Sequence, residues 1–390
     1  MEPPPSKTKK TLRVFAAASF LNDLGSDIVY PIWPLFVTQV LKAPMAALGF
    51  LDGLGDALVS ISQAVSGYLS DRWRRRKIFI WVGYLCGALS RLGYAVSAVW
   101  PQLVPFRVLD RAGKVRAAPR DAMVAGLSSD ATRGRNFGLL RAMDNLGAVA
   151  GIVVCIAFVN VLGYRTLFAL AALPSLAAAV LILKGIRDTR PNDRSLAKGA
   201  SFKDLGTNLR LYTLLNALFG LAAFSYSFLL LYARATGAQI VFVPVYYLIF
   251  TATASLLSYP MGRLSDRIGR KPVMFIAFGF WGLVCAGVLS GGRGLAGTVA
   301  LFVLYGAHKA ALDPVQRTLV CELSPQAFRA SCLGGFQMVV GLCALPASFL
   351  AGLLWDRFGM TAPFLTSLIL TAAAGALLPF VREGRANPAR

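Results

Sequence analysis

Apolar residues run through this 390-residue chain in stretches too long for a soluble core, broken at near-regular intervals by short charged turns. A helix needs about 20 residues to cross ~30 Å of hydrocarbon. Twelve stretches reach that length: 13–40, 44–70, 77–98, 101–127, 136–162, 164–184, 206–234, 239–265, 271–292, 294–322, 328–355 and 359–381. They predict an all-α membrane protein with twelve transmembrane helices. Several stretches are cut by charge, and there the count leans on an internal repeat. Sliding the chain by 195 residues sets Gly25 on Gly220, Gly87 on Gly282, Lys114 on Lys309 and Pro119 on Pro314. Two pseudo-symmetric sets of six helices, both starting on the same side, are a transporter layout. The division it predicts is a bundle over 1–184, a polar linker over 185–205 and a second bundle over 206–390.

Composition narrows the class. Hydrophobic residues make up 56% of the chain and charged ones 15%, yet the formal net charge is +22. A nucleic-acid binder could be that basic but would not carry a mean hydropathy of +0.61, so no nucleic-acid partner is expected. The positive charge belongs instead in loops. Connections after odd-numbered helices hold few basic residues, such as Lys42, Arg165 and Arg357. Those after even-numbered helices hold many, from Arg72, Arg74, Arg75, Arg76 and Lys77 to the segment between Lys184 and Arg210. The positive-inside rule then puts both termini in the cytoplasm of a multi-pass inner-membrane protein. Asn22, Asp23 and Asp27 follow the small-residue run FAAASF directly, so the first segment reads as an uncleaved helix. The six cysteines fall in or near apolar stretches without a C-x-x-C, which implies buried free thiols and neither a metal nor a disulfide. No nucleotide-binding loop of the G-x-x-x-x-G-K-S/T type is present and histidine occurs once, which argues against an ATP-driven pump or a membrane hydrolase. No enzyme activity and no cofactor are expected.

One charged motif occurs twice, at the repeat spacing: GYLSDRWRRRK from Gly67 and GRLSDRIGRKP from Gly262. The pattern G-x-x-x-D-R-x-G-R-R/K is complete in the second copy through Gly262, Asp266, Arg267, Gly269, Arg270 and Lys271. The first copy has Gly67, Asp71, Arg72, Arg75 and Arg76, with Arg74 in place of the internal glycine. On these residues the chain resembles the major facilitator superfamily over essentially its whole length. The resemblance implies a gate: basic residues at these cytoplasmic helix ends pair across to the other half when the cavity faces outward and separate when it faces inward. The plainer alternative is a topology signal made of surface charge.

Charge inside the membrane is the other informative feature, because each mid-membrane charge costs ~2.5–3.5 kcal/mol on insertion scales. The first helix carries Asp23 and Asp27 and the second Asp52 and Asp56, each pair at i, i+4 and so on one face. Such carboxylates suit a proton or cation site, or else they pair with arginines of neighbouring helices. Helix 1 lines the cavity in the resembled family, which favours Asp23 and Asp27. In the fourth helix, PFRVLDRAGKVRAAPRDAMV, a wheel of 100° per residue places Arg107, Asp110, Arg111, Lys114 and Asp121 within an arc of about 100°, with Arg116 and Arg120 opposite. The segment resembles the family's R-x-x-Q-G-x-G motif at Arg107 and Gly113 and departs from it at Asp110 and Arg111. A basic stripe facing water favours an anionic substrate. A self-cancelling network, with Asp110 and Lys114 one turn apart, is the competing reading.

The tenth helix repeats the theme with Lys309, Asp313 and Arg317, beside the lone His308, which is expected to be a packing residue. Lys114 is expected to contact substrate, and Lys309, one turn from Asp313, to stabilise its helix. Asn216, Ser225, Tyr226 and Ser227 of the seventh helix could meet an organic molecule. Gly147 and Gly151 of the fifth signal close helix packing. Together these residues predict a monomeric secondary transporter in the lipid bilayer. It moves a small organic molecule with an anionic group by alternating access, coupled to protons and directed outward. The alternatives are a metal or metal-chelate exporter using Asp23, Asp27, Asp52 and Asp56, and a transporter-like sensor or assembly factor without turnover.

Overall fold

The computed structural model describes residues 5–73, 75–128, 130–186, 206–291, 294–324 and 329–382, and these contain helices and turns with no strand. The predicted linker therefore lies almost wholly outside the described residues. In chain order the helices are α1 (Pro5–Val29, resuming after a turn as Trp33–Leu35 and the π-helical Phe36–Val40), α2 (Met45–Trp73), α3 (Arg76–Val96) and α4, which is built from Leu103–Ala112, Gly113–Arg116 and Ala117–Gly126. Helices α5 and α6 are two arms of the run Asp130–Gly185, meeting at Gly163, where φ is 69°. Then come α7 (Thr207–Ala222 and Ser227–Ala235), α8 (Phe242–Ile268), α9 (Arg270–Leu289), α10 (Leu295–Leu323), α11 (Arg329–Phe358) and α12 (Ala362–Leu377).

Nine stretches of the described residues are long and apolar enough to cross a membrane. One of them spans both α5 and α6, and the helices that fall short are α1 and α4. Those two carry the intramembrane charge clusters, which is why hydropathy alone passes over them. With them the count is twelve.

Three departures from regular helix matter for the site. The middle piece of α4, Gly113–Arg116, is a 3₁₀ turn, winding about 20° more per residue than an α-helix. The single wheel expected for this helix is therefore out of phase beyond Gly113. α7 is interrupted after Ala222 and resumes at Ser227. At the matching place in the first half, within two residues of the 195-residue register, the first run of α1 ends at Val29 and the chain turns before Trp33. The positive φ of Gly163, between α5 and α6, has its counterpart in Gly359 (φ 91°), between α11 and α12. A β-carbon is costly in that region, and glycine supplies the break in both halves, one residue off the 195-residue register.

The chain forms two compact units. The first comprises Met1–Ala43, Leu54–Leu196 and Ile240–Val245; the second comprises Pro44–Gly53, Ala197–Gln239 and Tyr246–Arg390. Thus α2 starts in the second unit and continues in the first.

In the first unit α1 packs along the α5–α6 run, and α3 packs against both that run and α4. Glycines set the spacing. A β-carbon on Gly147 would overlap the Phe20 carbonyl, and one on Gly151 the Leu24 carbonyl, so α5 lies backbone to backbone on α1. Gly83 of α3 and Gly113 of α4 oppose each other, each leaving room only for the other's carbonyl. Phe15, Ile80, Tyr84, Val124, Leu140 and Ile182 belong to one buried apolar core of this unit. In the second unit α9 contacts α10 and α12, and α7 contacts α11 and α12. Many large apolar side chains, among them Val161, Leu173, Leu256 and Ile369, are exposed, as expected of lipid-facing positions.

Candidate functional site

The close approach of α1, α3 and α4 brings the charges of the first unit together. Arg107, Asp110, Arg111 and Arg116 of α4 are all buried. The Arg107 guanidinium lies over the Trp33 ring, 4.5 Å from its centroid, and the Arg111 guanidinium over Tyr30 at 5.0 Å. Arg111 also donates from Nη1 to the Tyr30 hydroxyl at 3.3 Å. Tyr30 lies in the turn after Val29 and Trp33 opens the helical piece that follows it, so the break in α1 is what supplies a π-face to each arginine. Gly55 of α2 completes the wall: a β-carbon there would stand 3.1 Å from Arg107 Nε and 3.2 Å from Arg111 Nε.

Local compensation is incomplete. Asp110 Oδ2 lies 3.5 Å from Arg111 Nε, a long ion pair, and Ser90 Oγ reaches Asp110 Oδ1 at the same distance. At that separation and angle the pair is no hydrogen bond, and Arg111 Nε is a buried donor without an acceptor. Lys114, half-buried, follows Gly113 in the 3₁₀ turn. Arg116 turns back to the Gly113 carbonyl at 2.9 Å and stacks on Tyr84 at 5.0 Å. Arg120 reaches Ser19 Oγ at 2.9 Å, Asp121 at 3.0 Å and Asp144 of α5 at 3.6 Å. The two arginines expected opposite the stripe are thus tied to backbone, ring and carboxylate partners.

Sequence reasoning missed Arg91. It sits about three-quarters of the way along α3, 2% exposed, and donates to Ser26 Oγ at 2.7 Å, the Ala171 carbonyl at 3.3 Å and the Asn22 carbonyl at 3.4 Å. It joins α1, α3 and α6 at one point. Gly25 leaves it space, since a β-carbon there would come within 2.7 Å of Nη1. The signal was available: an arginine within an otherwise apolar span is costly enough to need several partners.

The four aspartates of α1 and α2 have separate fates. Asp23 accepts a hydrogen bond from Asn22 Nδ2 at 2.8 Å, while Asp27 is buried. Asp56 is exposed and belongs to the first unit; Asp52 is 2% exposed and belongs to the second. There Asp52 Oδ2 accepts from Ser225 Oγ at 2.7 Å and Ser227 Oγ at 2.5 Å. The α7 hydroxyls offered to a substrate are therefore bound to a carboxylate of this chain. Among the described residues no three His, Cys, Asp or Glu side chains gather as a metal-ligand set.

In the second unit Asn216 Oδ1 accepts from Gln316 Nε2 at 2.7 Å, a contact the sequence reading did not foresee. His308 is buried, and its Nδ1 donates to the Ala277 carbonyl at 2.8 Å among Phe219, Trp281 and Tyr305, as a packing residue does. Lys309 is half-buried, whereas Asp313 and Arg317 are exposed.

The second charged motif is a clamp. Arg270 bonds Asp266 at 2.5 Å, Ser265 Oγ at 2.8 Å and Glu322 Oε1 at 3.0 Å, tying α8, α9 and the end of α10 together. Gly269, at φ 97°, makes the turn between α8 and α9. Arg267 is exposed, and a β-carbon on Gly262 would meet nothing within 4 Å. In the first copy Arg72 and Arg75 are exposed, while Arg74 and the side-chain surroundings of Gly67 and Asp71 lie outside the described residues. Both halves anchor the start of their third helix alike: Lys77 Nζ donates to the Leu183 carbonyl at 2.7 Å and Lys271 Nζ to the Pro379 carbonyl at 2.9 Å.

Comparison with known proteins agrees with this architecture. The family model described as Major Facilitator Superfamily matches residues 15–249 and 213–390. An uncharacterized MFS-type transporter of Methanocaldococcus jannaschii is 33% identical over 381 residues, 95% of each chain. A multi-drug resistance efflux pump of Streptococcus pneumoniae is 25% identical over 341 residues, 82% of each. Among solved structures, a mutant of the nucleoside transporter NupG superposes with a TM-score of 0.82 at 15% identity, covering 96% of this chain and all (100%) of that one.

Proposed function

We propose, from the premise that this chain belongs to the Major Facilitator Superfamily and is a membrane transporter rather than an enzyme, that it exports a small organic molecule with an anionic group by alternating access, coupled to protons. In this reading residues 1–184 and 206–390 act as two bundles around the 185–205 linker. The protein works as a monomer in the inner membrane with both termini cytoplasmic. The single observation carrying the anion assignment is the Arg107–Arg111 pair. Both are buried, both are stacked on rings at the α1 break, and Arg111 Nε lacks an acceptor. A buried donor without an acceptor is expensive. A carboxylate or phosphate accepting from both guanidinium forks would satisfy it. Outward direction is supported by the likeness to the pneumococcal efflux pump.

The test is counterflow in proteoliposomes with ligands found by thermal-shift screening of the purified protein. Anionic compounds are expected to shift the melting temperature and to exchange. Exchange confined to cations or metals would overturn the anion assignment, and binding without exchange would favour the sensor reading.

Proton coupling is assigned to Asp23 and Asp27, on the helix whose break holds the arginine-stacking rings. Asp27→Asn is expected to abolish accumulation driven by a pH gradient while leaving counterflow at about half its rate or better. Uphill transport with the wild-type pH profile in both Asp23→Asn and Asp27→Asn would place the proton elsewhere.

The Asp266–Arg270–Glu322 clamp is assigned to the gate. Asp266→Asn is expected to slow turnover about tenfold, equivalent to ~1.4 kcal/mol on the barrier, with binding changed by less than about twofold. Steady-state counterflow beside equilibrium binding separates the two quantities. Equal loss in both would assign the clamp to the binding site instead.

A further inference from the structure

The first turns of α2 are seated in the second unit by contacts that neither the charged motifs nor the arginine pair explain. The chain reaches them through Lys42, the one non-glycine residue with positive φ (53°) among the described residues, immediately before the division between Ala43 and Pro44. Asp356, at the end of α11, accepts from the backbone N–H of Met45 on Oδ1 at 3.0 Å and of Ala46 on Oδ2 at 2.9 Å. Those are two of the N–H groups that a helix start leaves unpaired. A carboxylate from 311 positions away in the sequence thus caps α2.

Below the cap, backbone meets backbone. A β-carbon on Gly49 would overlap the Ser348 carbonyl. One on Gly53 would come within 2.6 Å of the Ala344 carbonyl oxygen, and one on Gly352 would overlap the Met45 carbonyl. One turn further down, Asp52 holds both hydroxyls of the α7 break, Ser225 and Ser227. The Ser225 N–H in turn donates to Ser348 Oγ of α11 at 3.2 Å. The four residues Ala223–Tyr226 are not helical, so their position is set by these contacts more than by an i→i−4 ladder.

We infer that Asp52 and Asp356 form a two-point latch, in which the α7 break holds or frees the start of α2 through the Ser225 and Ser227 hydroxyls. Asp52 is a positioning residue here, acting on the break rather than on a substrate. The chemistry fits a reversible contact. Two short hydroxyl–carboxylate bonds and two backbone caps form or dissolve as a set, across a seam where Gly49, Gly53 and Gly352 bring the two backbones close. Movement of Ala223–Tyr226 by a fraction of a helical turn would withdraw both hydroxyls together. The latch rests on the alternating-access reading for its purpose, but its existence can be tested with no substrate at all.

Ser348, 1% exposed, lies beneath Gly49 and serves as the reporter. In a chain with Ser348→Cys, five native cysteines are replaced and buried Cys285 is kept as a marker of the folded state. Labelling of position 348 by a small water-soluble maleimide is then followed in membranes. Asp52→Leu, the Ser225→Ala/Ser227→Ala pair and Asp356→Ala are each expected to raise its rate about fivefold or more while Cys285 stays unlabelled. Asp356 is exposed, and its replacement removes only a cap, so that variant keeps its fold. Unchanged labelling in Asp356→Ala together with unchanged labelling in the serine pair would overturn the latch. Failure of every anionic compound in counterflow would leave this labelling result unaffected, so the two readings fall separately.

Discussion

Replacing Arg111 with lysine is expected to lower affinity for the proposed anionic substrate by about 1.5–3 kcal/mol, the range for a charge-assisted hydrogen bond, or roughly ten- to a hundredfold in Kd. The charge survives this substitution. What is lost is the fork whose Nη1 donates to Tyr30 and whose Nε stands free of any acceptor. An ammonium has three donors but no planar fork, so it cannot keep the face-on ring stacking while holding a second donor in the fixed direction that Nε has. Arg111→Ala goes further, leaving the buried Asp110 without its ion-pair partner, and transport is expected to fall below detection. Arg107→Lys follows the same direction, because it surrenders the stacking on Trp33. Equilibrium binding in detergent and counterflow in vesicles measure both effects. Wild-type affinity in Arg111→Lys and Arg107→Lys together would remove the support for an anionic substrate.

Arg91→Ala destabilises the first unit by about 2–4 kcal/mol, reckoned at ~1–2 kcal/mol for each of its stronger interhelical hydrogen bonds and a cavity besides. Its three acceptors lie on α1 and α6, so the loss separates helices rather than loosening one of them. Arg91→Lys is expected to recover less than half, since one ammonium cannot span Ser26 and Ala171 as a guanidinium does. Thermal unfolding of the purified protein reads the difference. A melting temperature indistinguishable from wild type in Arg91→Ala would show that helix packing alone holds this junction; each 1 kcal/mol should shift it by roughly 1–2 °C in a chain of this size, because the entropy of unfolding grows with length.

Helix number, repeat and charge asymmetry were legible along the chain because each is a one-dimensional property. A span must be about 20 residues long whatever it packs against, and a duplicated half must repeat its glycines and its motif at constant spacing. The repeat that pairs Gly25 with Gly220 also accounts for the breaks in α1 and α7, within two residues of register, and for the like turns at Gly163 and Gly359, one residue off it. Even α1 and α4, which hydropathy passes over, were recoverable from the repeat. The pairing of charges was not legible. An i, i+4 spacing says that Asp52 and Asp56 share a helix face, but nothing in it says that the helix passes from one compact unit to the other between them. The wheel of α4 assumed 100° per residue, and the close approach of Gly83 to Gly113 coincides with a 3₁₀ turn that changes the phase.

What the sequence by itself determined is therefore the membrane class, the twelve helices and the stock of charges held within them. Which charge meets which partner was decided by tertiary structure alone. Arg91 finds carbonyls on α1 and α6, Asp52 finds the hydroxyls of the α7 break, Asp356 caps α2, and Arg111 keeps one donor free. The physical reason is one of range. Hydrophobic periodicity is set by a residue's own helix and the surrounding lipid, whereas a buried charge is settled over a few ångströms by groups hundreds of residues away in the chain.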